Sequence, residues 1–145
     1  MFTVVIPLFN KEEYIHATVA SVLQQTYSDF ELLVINDGST DGSLSVLQEY
    51  KDTRIKIIST KNNGAAAARN LGASKAIHPY VALLDADDWW APTYLEEMAK
   101  AITTFPANTV FATGRTHIFA EKEVVYTHSY LPEKGTTDLV NHFQV

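Results

Sequence analysis

The chain has 145 residues, 46% of them hydrophobic and 19% charged, which suits a single folded domain with a substantial core. A net charge of −6 argues against a nucleic-acid or anionic-membrane surface, since neither attracts an acidic protein. Cysteine is absent, which excludes disulfides and thiolate metal sites and fits a reducing cytoplasm.

The first element is the β-branched run Thr3-Val4-Val5-Ile6-Pro7-Leu8, the pattern of a strand buried on both faces. The run Phe2 to Leu8 is too short for a signal-peptide core and has no basic leader. Asn10 is placed to cap a helix with Glu12 and Glu13 in its first turn, and Tyr14, Ile15, Val19, Val22 and Leu23 recur at helical spacing. Phe30 to Ile35 reads as a second buried strand, closed by Asn36-Asp37-Gly38-Ser39. Ser39 or Thr40 can cap a helix reaching about Tyr50 and burying Leu44, Val46 and Leu47. Ile55 to Ile58 supplies a third strand, and Asn62-Asn63-Gly64 is a turn into a helix from Ala65 to Ile77.

Pro79 ends that helix, and Tyr80 to Leu84 reads as a fourth buried strand. Pro92 suits the first turn of a helix running to about Thr104, with Leu95, Met98, Ala99 and Ile102 on one face. Val110 to Ala112 and Glu123 to Tyr130 read as later strands, antiparallel in arrangement. No apolar run approaches the roughly 20 residues of a membrane helix. Strands alternating with helices predict an α/β fold, a mostly parallel sheet with helices on both faces. Ligands bind such sheets beyond the carboxyl ends of the strands. The loops at Pro7 to Asn10, Asn36 to Asp41 and Asp85 to Trp90 should therefore converge.

The strongest chemical signal is Asp85-Ala86-Asp87-Asp88, three carboxylates in four positions behind an apolar run. Clustered like charges need a counter-charge, and for oxygen donors the usual one is Mg²⁺ or Mn²⁺. The bland reading is a solvated acidic turn with Asp88 capping the next helix. Placement behind a strand, with Trp89 and Trp90 positioned to limit solvent, favours the metal. Asp87 and Asp88 are the favoured ligands, with Asp85 on ribose or metal. Asp37 can accept hydrogen bonds from a base N–H or a ribose hydroxyl. Arg69, inside the alanine-rich helix, can neutralise a diphosphate oxygen or pair with the aspartates. The five histidines show no metal-site spacing, and no phosphate-loop or nucleophile-elbow motif is present.

Taken in order, several segments resemble the family 2 glycosyltransferases, enzymes of the GT-A fold. They are Val4 to Asn10, Ser21 to Tyr27, Glu31 to Asp41, Asn62 to Gly64, Arg69 to Gly72 and Leu84 to Trp90. The resemblance covers residues 3 to about 100. It implies a Rossmann-like GT-A fold and transfer from a nucleotide-sugar donor, UDP-linked, to a hydroxyl of a glycan or lipid-linked acceptor, with inversion. It places Pro7, Leu8, Asn10, Asp37, Asn62, Arg69, Asp85 and Ala86 at the nucleotide, with Asp37 on uracil. Asp87 and Asp88 fall on a Mn²⁺ or Mg²⁺ ion.

The expected location is the cytoplasm, or the inner face of the membrane through a segment outside this sequence. Family members continue further and carry a Glu-Asp general base. Glu121, Glu123, Glu133 and Asp138 lack its context, so residues 1–145 are expected to be the donor-binding part of one domain. Two rival readings remain: a nucleotide-binding module without catalysis, and a nucleotidyltransferase. The latter would carry a glycine-rich basic loop after the first strand, where this chain has Pro7-Leu8-Phe9-Asn10-Lys11.

Overall fold

The computed structural model describes residues 1–104, 115–119 and 122–126. The chain divides into two compact units, Met1–Glu97 and Met98–Val145. The first holds a four-stranded sheet: β1 (Phe2–Leu8), β2 (Phe30–Asn36), β3 (Ile55–Ser59) and β4 (Tyr80–Leu83). Its order is β3-β2-β1-β4 and every pairing is parallel, with Val4 opposite both Leu32 and Ala82. Helices α1 (Glu12–Leu23), α2 (Ser43–Gln48) and α3 (Ala65–Lys75) connect successive strands, and α4 (Tyr94–Thr104) follows. In the second unit, β5 (Arg115–Phe119) and β6 (Lys122–Tyr126) form an antiparallel pair.

The continuous apolar runs become the central strands because both of their faces are covered. All seven residues of β2 are buried, as are six of seven in β1. Val5, Leu33 and Ile35 form one face, packed with Ala68 of α3 and flanked by Ile58 and Leu71. Alternation turns Val4, Ile6, Leu32 and Val34, all fully buried, to the other face. Two crossovers, β1-α1-β2 and β2-α2-β3, step in one direction across the sheet, whereas β3-α3-β4 steps back. Right-handed connections therefore put α1 and α2 opposite α3. Ile15, Val19 and Val22 of α1 and Leu47 of α2 are fully buried or nearly so. Each such aliphatic side chain contributes about 1.5–3 kcal/mol of burial. On the α3 face, Gly72 permits close approach: a Cβ there would lie 2.2 Å from Val5 Cγ1.

Several local expectations are corrected. Asn10 does not cap α1. It adopts φ of 50°, and its Oδ1 accepts the Thr40 N–H at 2.8 Å. The capping is instead reciprocal between two helices: Asp41 accepts the Glu12 N–H at 3.0 Å, and Glu12 accepts the Gly42 N–H at 2.8 Å. Asp41 also accepts the Ser43 N–H, so neither Ser39 nor Thr40 caps α2, which stops at Gln48. Tyr14 is exposed rather than part of the apolar stripe. Helix α3 ends at Lys75, before the expected Ile77.

Strand β4 is not buried on both faces, since Val81 and Leu83 are exposed. Helix α4 begins at Tyr94, so Pro92 lies outside it; the Pro92 carbonyl accepts the Thr26 N–H at 2.9 Å. Strand β5 was not expected. Strand β6 overlaps the expected Glu123–Tyr130 run, while Val110 to Ala112 lies outside the described residues.

At the end of the sheet where β1 and β2 begin, a buried carboxylate ties the strands together. Glu31 accepts hydrogen bonds from the Thr3 hydroxyl (2.7 Å), the Ile77 N–H (2.9 Å) and Lys56 Nζ (2.9 Å). Burial alone would raise its pKa, but these three donors outweigh that and lower it. Ahead of β3, Arg54 binds Asp52 through two nitrogens and lowers the Asp52 pKa to about 2. Both depressed carboxylates contribute stability above their unfolded values, and that contribution is lost as pH falls through their folded values. The urea-unfolding free energy should hold steady above about pH 5 and fall between about pH 4 and 2. Glu31→Ala leaves the Thr3 and Ile77 donors without their acceptor and should cost about 1–3 kcal/mol. An unchanged urea midpoint in that variant would remove Glu31 from this role.

Candidate functional site

A pocket of about 220 Å³ opens beyond the carboxyl ends of β1, β2 and β4. It lies where the crossovers diverge, at the junction of β1 and β4. The end of β1 contributes Pro7, Leu8 and Phe9, and the following loop contributes Lys11. Asp37 enters from the end of β2, while Asn62, Gly64, Ala65, Ala68 and Arg69 come from the approach to α3 and its first turns. Asp85, Ala86 and Asp87 complete the lining from the segment after β4. The structure thus gathers eight of the ten residues singled out from sequence. Asn10 and Asp88 are not in the lining. Phe9, Lys11, Gly64, Ala65 and Ala68 were not singled out.

Asp37 is nearly fully buried and serves as the centre of the β3–α3 loop. Its carboxylate accepts the Thr60 hydroxyl at 2.9 Å, the Asn63 N–H at 3.0 Å and the Gly64 N–H at 2.7 Å. Burial pushes its pKa up, but these donors outweigh it and hold the carboxyl below its usual range. Gly64 sits at φ of 90°, a conformation that glycine supplies at no steric cost and that aims its N–H at Asp37.

The acidic cluster is a tight turn closed by the Asp88 N–H on the Asp85 carbonyl at 3.0 Å. Ala86 is buried, and its carbonyl accepts the buried Thr18 hydroxyl of α1 at 2.8 Å. Further along, Ser21 Oγ accepts the Trp90 N–H at 3.2 Å. Gln25 donates to the Ala91 carbonyl at 2.7 Å and accepts the Leu95 N–H at 2.8 Å. Thr18 and Ser21 of α1, with Gln25 just beyond its end, therefore hold the segment from Ala86 to Leu95. Trp90 is occupied in packing, stacked on Tyr94 at 4.3 Å between centroids, whereas Trp89 is 58% exposed and does not shield the carboxylates as expected.

Each pocket carboxylate of this turn meets a cation from elsewhere in the chain. Arg69 Nη2 lies 2.5 Å from Asp85 Oδ1, and Lys11 Nζ lies 2.8 Å from Asp87 Oδ2. The hydrogen bond and charge of Asp87 raise the Lys11 pKa. Of the two sequence-level options for Arg69, pairing with the aspartates is the one seen. No group of three or more histidine, aspartate or glutamate side chains converges on a metal position among the described residues. Two carboxylates at one pocket wall nevertheless suit Mg²⁺ or Mn²⁺, which take one or two protein carboxylates and complete their shell with phosphate and water oxygens. The donor set fits such an ion when a phosphorylated ligand shares it.

Comparison with known proteins decides the family. The Glycosyl transferase family 2 model matches residues 3–143. The chain belongs to that family. It is 37% identical over 126 residues to the glycosyltransferase GlyA of Streptococcus pneumoniae, covering 86% of this chain and 18% of GlyA. Over 103 residues it is 41% identical to the putative teichuronic acid biosynthesis glycosyltransferase TuaG of Bacillus subtilis, covering 69% of this chain and 41% of TuaG.

Among solved structures it resembles residues 1–349 of Staphylococcus aureus TarS in complex with UDP-GlcNAc. The TM-score is 0.69 at 28% identity, with 72% of this chain and 32% of that one covered. A mannosyltransferase of Pyrobaculum calidifontis, in complex with GDP-Man and Mn²⁺, aligns with a TM-score of 0.65 at 27% identity over 70% of this chain and 32% of that one. The fold of this family 2 member is accordingly GT-A-like, and the chain spans less than half the length of each of these relatives.

Two variants test the local construction of the site. Asp37→Ala removes the shared acceptor of the β3–α3 loop, so the Asn63 and Gly64 amides should exchange hydrogen at least about tenfold faster. Unchanged protection would show that the loop stands without Asp37. Thr18→Val keeps the side-chain shape but leaves the Ala86 carbonyl without its donor, at a cost of about 1–2 kcal/mol in thermal or urea unfolding. A neutral result would mean that the turn stands without the Thr18 hydroxyl.

Proposed function

We propose that the pocket binds the nucleoside diphosphate of a nucleotide-sugar donor, and that the protein of which this chain is the donor-binding part transfers the sugar to an acceptor hydroxyl with inversion. The observation that carries this reading is the alignment of three strand-end elements around one cavity. They are the backbone at Pro7 and Leu8, the carboxylate of Asp37, and the Asp85–Asp87 turn with its two cations. Apolar backbone and a buried carboxylate at one end suit a base and ribose. Carboxylates, guanidinium and ammonium at the other suit a diphosphate with a divalent cation.

In this assignment Pro7, Leu8 and Asn62 lie beside the base. Asp37 receives base N–H groups while holding its loop. Asp85 and Ala86 meet the ribose and diphosphate, and Asn10 supports the rim through Thr40. Asp87 holds Mn²⁺ or Mg²⁺ directly or through water, with Asp88 beside it in the same turn. When bound, that ion would stabilise the negative charge on the departing nucleoside diphosphate. Arg69 adds positive charge at the phosphates, and Thr18 keeps the turn at a fixed distance from β1.

UDP is the favoured nucleotide, since TarS, which aligns with 72% of this chain, was solved in complex with UDP and with UDP-GlcNAc. A glycan or lipid-linked hydroxyl is the proposed acceptor, and the cytoplasm or the inner membrane face the proposed location. No helix among the described residues is long and apolar enough to cross a membrane. A second reading, nucleotide binding without transfer, is favoured by one observation. All three pocket carboxylates are engaged, Asp37 by its loop, Asp85 by Arg69 and Asp87 by Lys11.

Titration calorimetry with UDP should show binding that depends on Mn²⁺ and disappears with a chelator. Asp87→Ala should weaken that binding by about tenfold or more, because half of the turn's pocket charge is lost. Full Mn²⁺-dependent binding in Asp87→Ala would remove Asp87 from the metal. A donor-hydrolysis assay on the same protein separates transfer chemistry from binding alone.

A further inference from the structure

We propose that Lys11 is an exchangeable counter-ion that pairs with Asp87 and moves to the donor diphosphate when a divalent ion binds Asp87. The proposal rests on the nucleotide-diphosphate reading of the pocket and assigns a role to a residue outside the set drawn from sequence.

Three observations carry it. First, the Lys11 ammonium sits 2.8 Å from Asp87 Oδ2 and 5.8 Å from the centroid of the exposed Tyr14 ring. An anion and a ring face both attract a cation, so the parked position is defined. Second, only the side chain needs to move. The Lys11 backbone is fixed at both ends: its N–H donates to Ser43 Oγ at 3.0 Å, and its carbonyl accepts the Tyr14 and Ile15 N–H groups at 3.0 and 2.9 Å. Third, Lys11 lines the same pocket as Arg69, Asp85 and Asp87. Among the described lining residues, Asp85 and Asp87 face Arg69 from α3 and Lys11 from the loop after β1.

A divalent ion carries the charge that those two cations now supply together. When it binds Asp87, Lys11 becomes surplus at that wall. The incoming nucleotide-sugar diphosphate brings two negative charges, which the freed Lys11 and the neighbouring Arg69 can meet. Exchange is cheap because the Lys11–Asp87 pair is partly exposed, 38% and 42%, and such pairs are weak. Metal and nucleotide then bind with positive coupling. The metal alone must displace Lys11 with nothing to receive it, whereas the metal with diphosphate gives Lys11 a new partner.

The test measures Mn²⁺ binding by the electron-paramagnetic-resonance signal of free Mn²⁺, and UDP binding by calorimetry, in the wild-type chain, Lys11→Met and Lys11→Arg. Lys11→Met should bind Mn²⁺ alone about two- to fivefold more tightly, since its competitor is gone. The same variant should bind UDP at saturating Mn²⁺ about three- to tenfold more weakly. Opposite signs are the signature, because loss of a merely structural residue weakens both. Lys11→Arg should restore the wild-type order. Weaker or unchanged Mn²⁺ binding in Lys11→Met, or unchanged UDP binding, overturns the exchange while leaving the nucleotide site intact. Absence of any Mn²⁺-dependent UDP binding in the wild-type chain overturns the nucleotide reading itself, and the exchange with it. Matching melting curves for the three proteins confirm that all are folded.

Discussion

The pocket depends on the divergence of two crossovers at the carboxyl end of β1. Helix α1 leaves β1 toward one face of the sheet, whereas β4 arrives from α3 on the other. Because right-handed connections cannot cover the gap between them, a crevice is left at that junction. Asp37, Arg69, Asp85 and Asp87 stand on its rim. The strands are rigid there for a simple reason: β1 and β2 are buried on both faces, and Gly72 lets α3 lie against Val5 without an intervening side chain. A rigid floor of this kind fixes the separation between Asp37 and the Asp85–Asp88 turn, and a ligand reaching both must match that span.

Polar groups set the remaining geometry, and they do so from a distance in sequence. The acidic turn would be poorly determined if it were held only by its own hydrogen bond. Thr18 and Ser21 of α1, with Gln25 just beyond its end, bind the turn's backbone and the segment that follows. These bonds are more costly to leave unmade than they are favourable to make, since Thr18, Ala86 and Gln25 are buried. The result is an arrangement in which the helix that packs on the sheet also sets the height of the carboxylates. Stability and site geometry are thus the same set of contacts on this face, and loosening one loosens the other.

The apolar runs of β1 and β2, the alternation of strands with helices, and the gathering of Pro7, Asp37, Arg69 and Asp85 at one end were legible in sequence. Continuous β-branched runs admit few placements, and strand-end loops of a parallel sheet must share an edge. Local capping rules failed at Asn10 because Asp41, 29 residues from Glu12 in chain but adjacent in space, supplies the acceptor for α1. Trp89 and Trp90 looked alike in sequence. They differ in the fold: Trp90 stacks on Tyr94, whereas Trp89 is exposed. Strand β4 looked buried from its composition, yet its outward residues Val81 and Leu83 are exposed. Lys11 was the most consequential omission. Its partner Asp87 lies 76 residues away, so no window of sequence shows the pair.

That omission bears on how an acidic motif should be read. Repulsion between Asp85 and Asp87 is a reason to expect a metal only while no other cation is near. Here Arg69 and Lys11 already answer it, so charge balance alone does not require the ion. What the ion supplies is a change of state. With monovalent partners, each carboxylate is bound to its own side chain, and the two cations are held by the protein. A divalent ion held at Asp87 would instead supply positive charge that the turn and a phosphorylated ligand could share. An aspartate turn paired with internal cations is therefore suited to admit metal and diphosphate together and to hold either one alone less well.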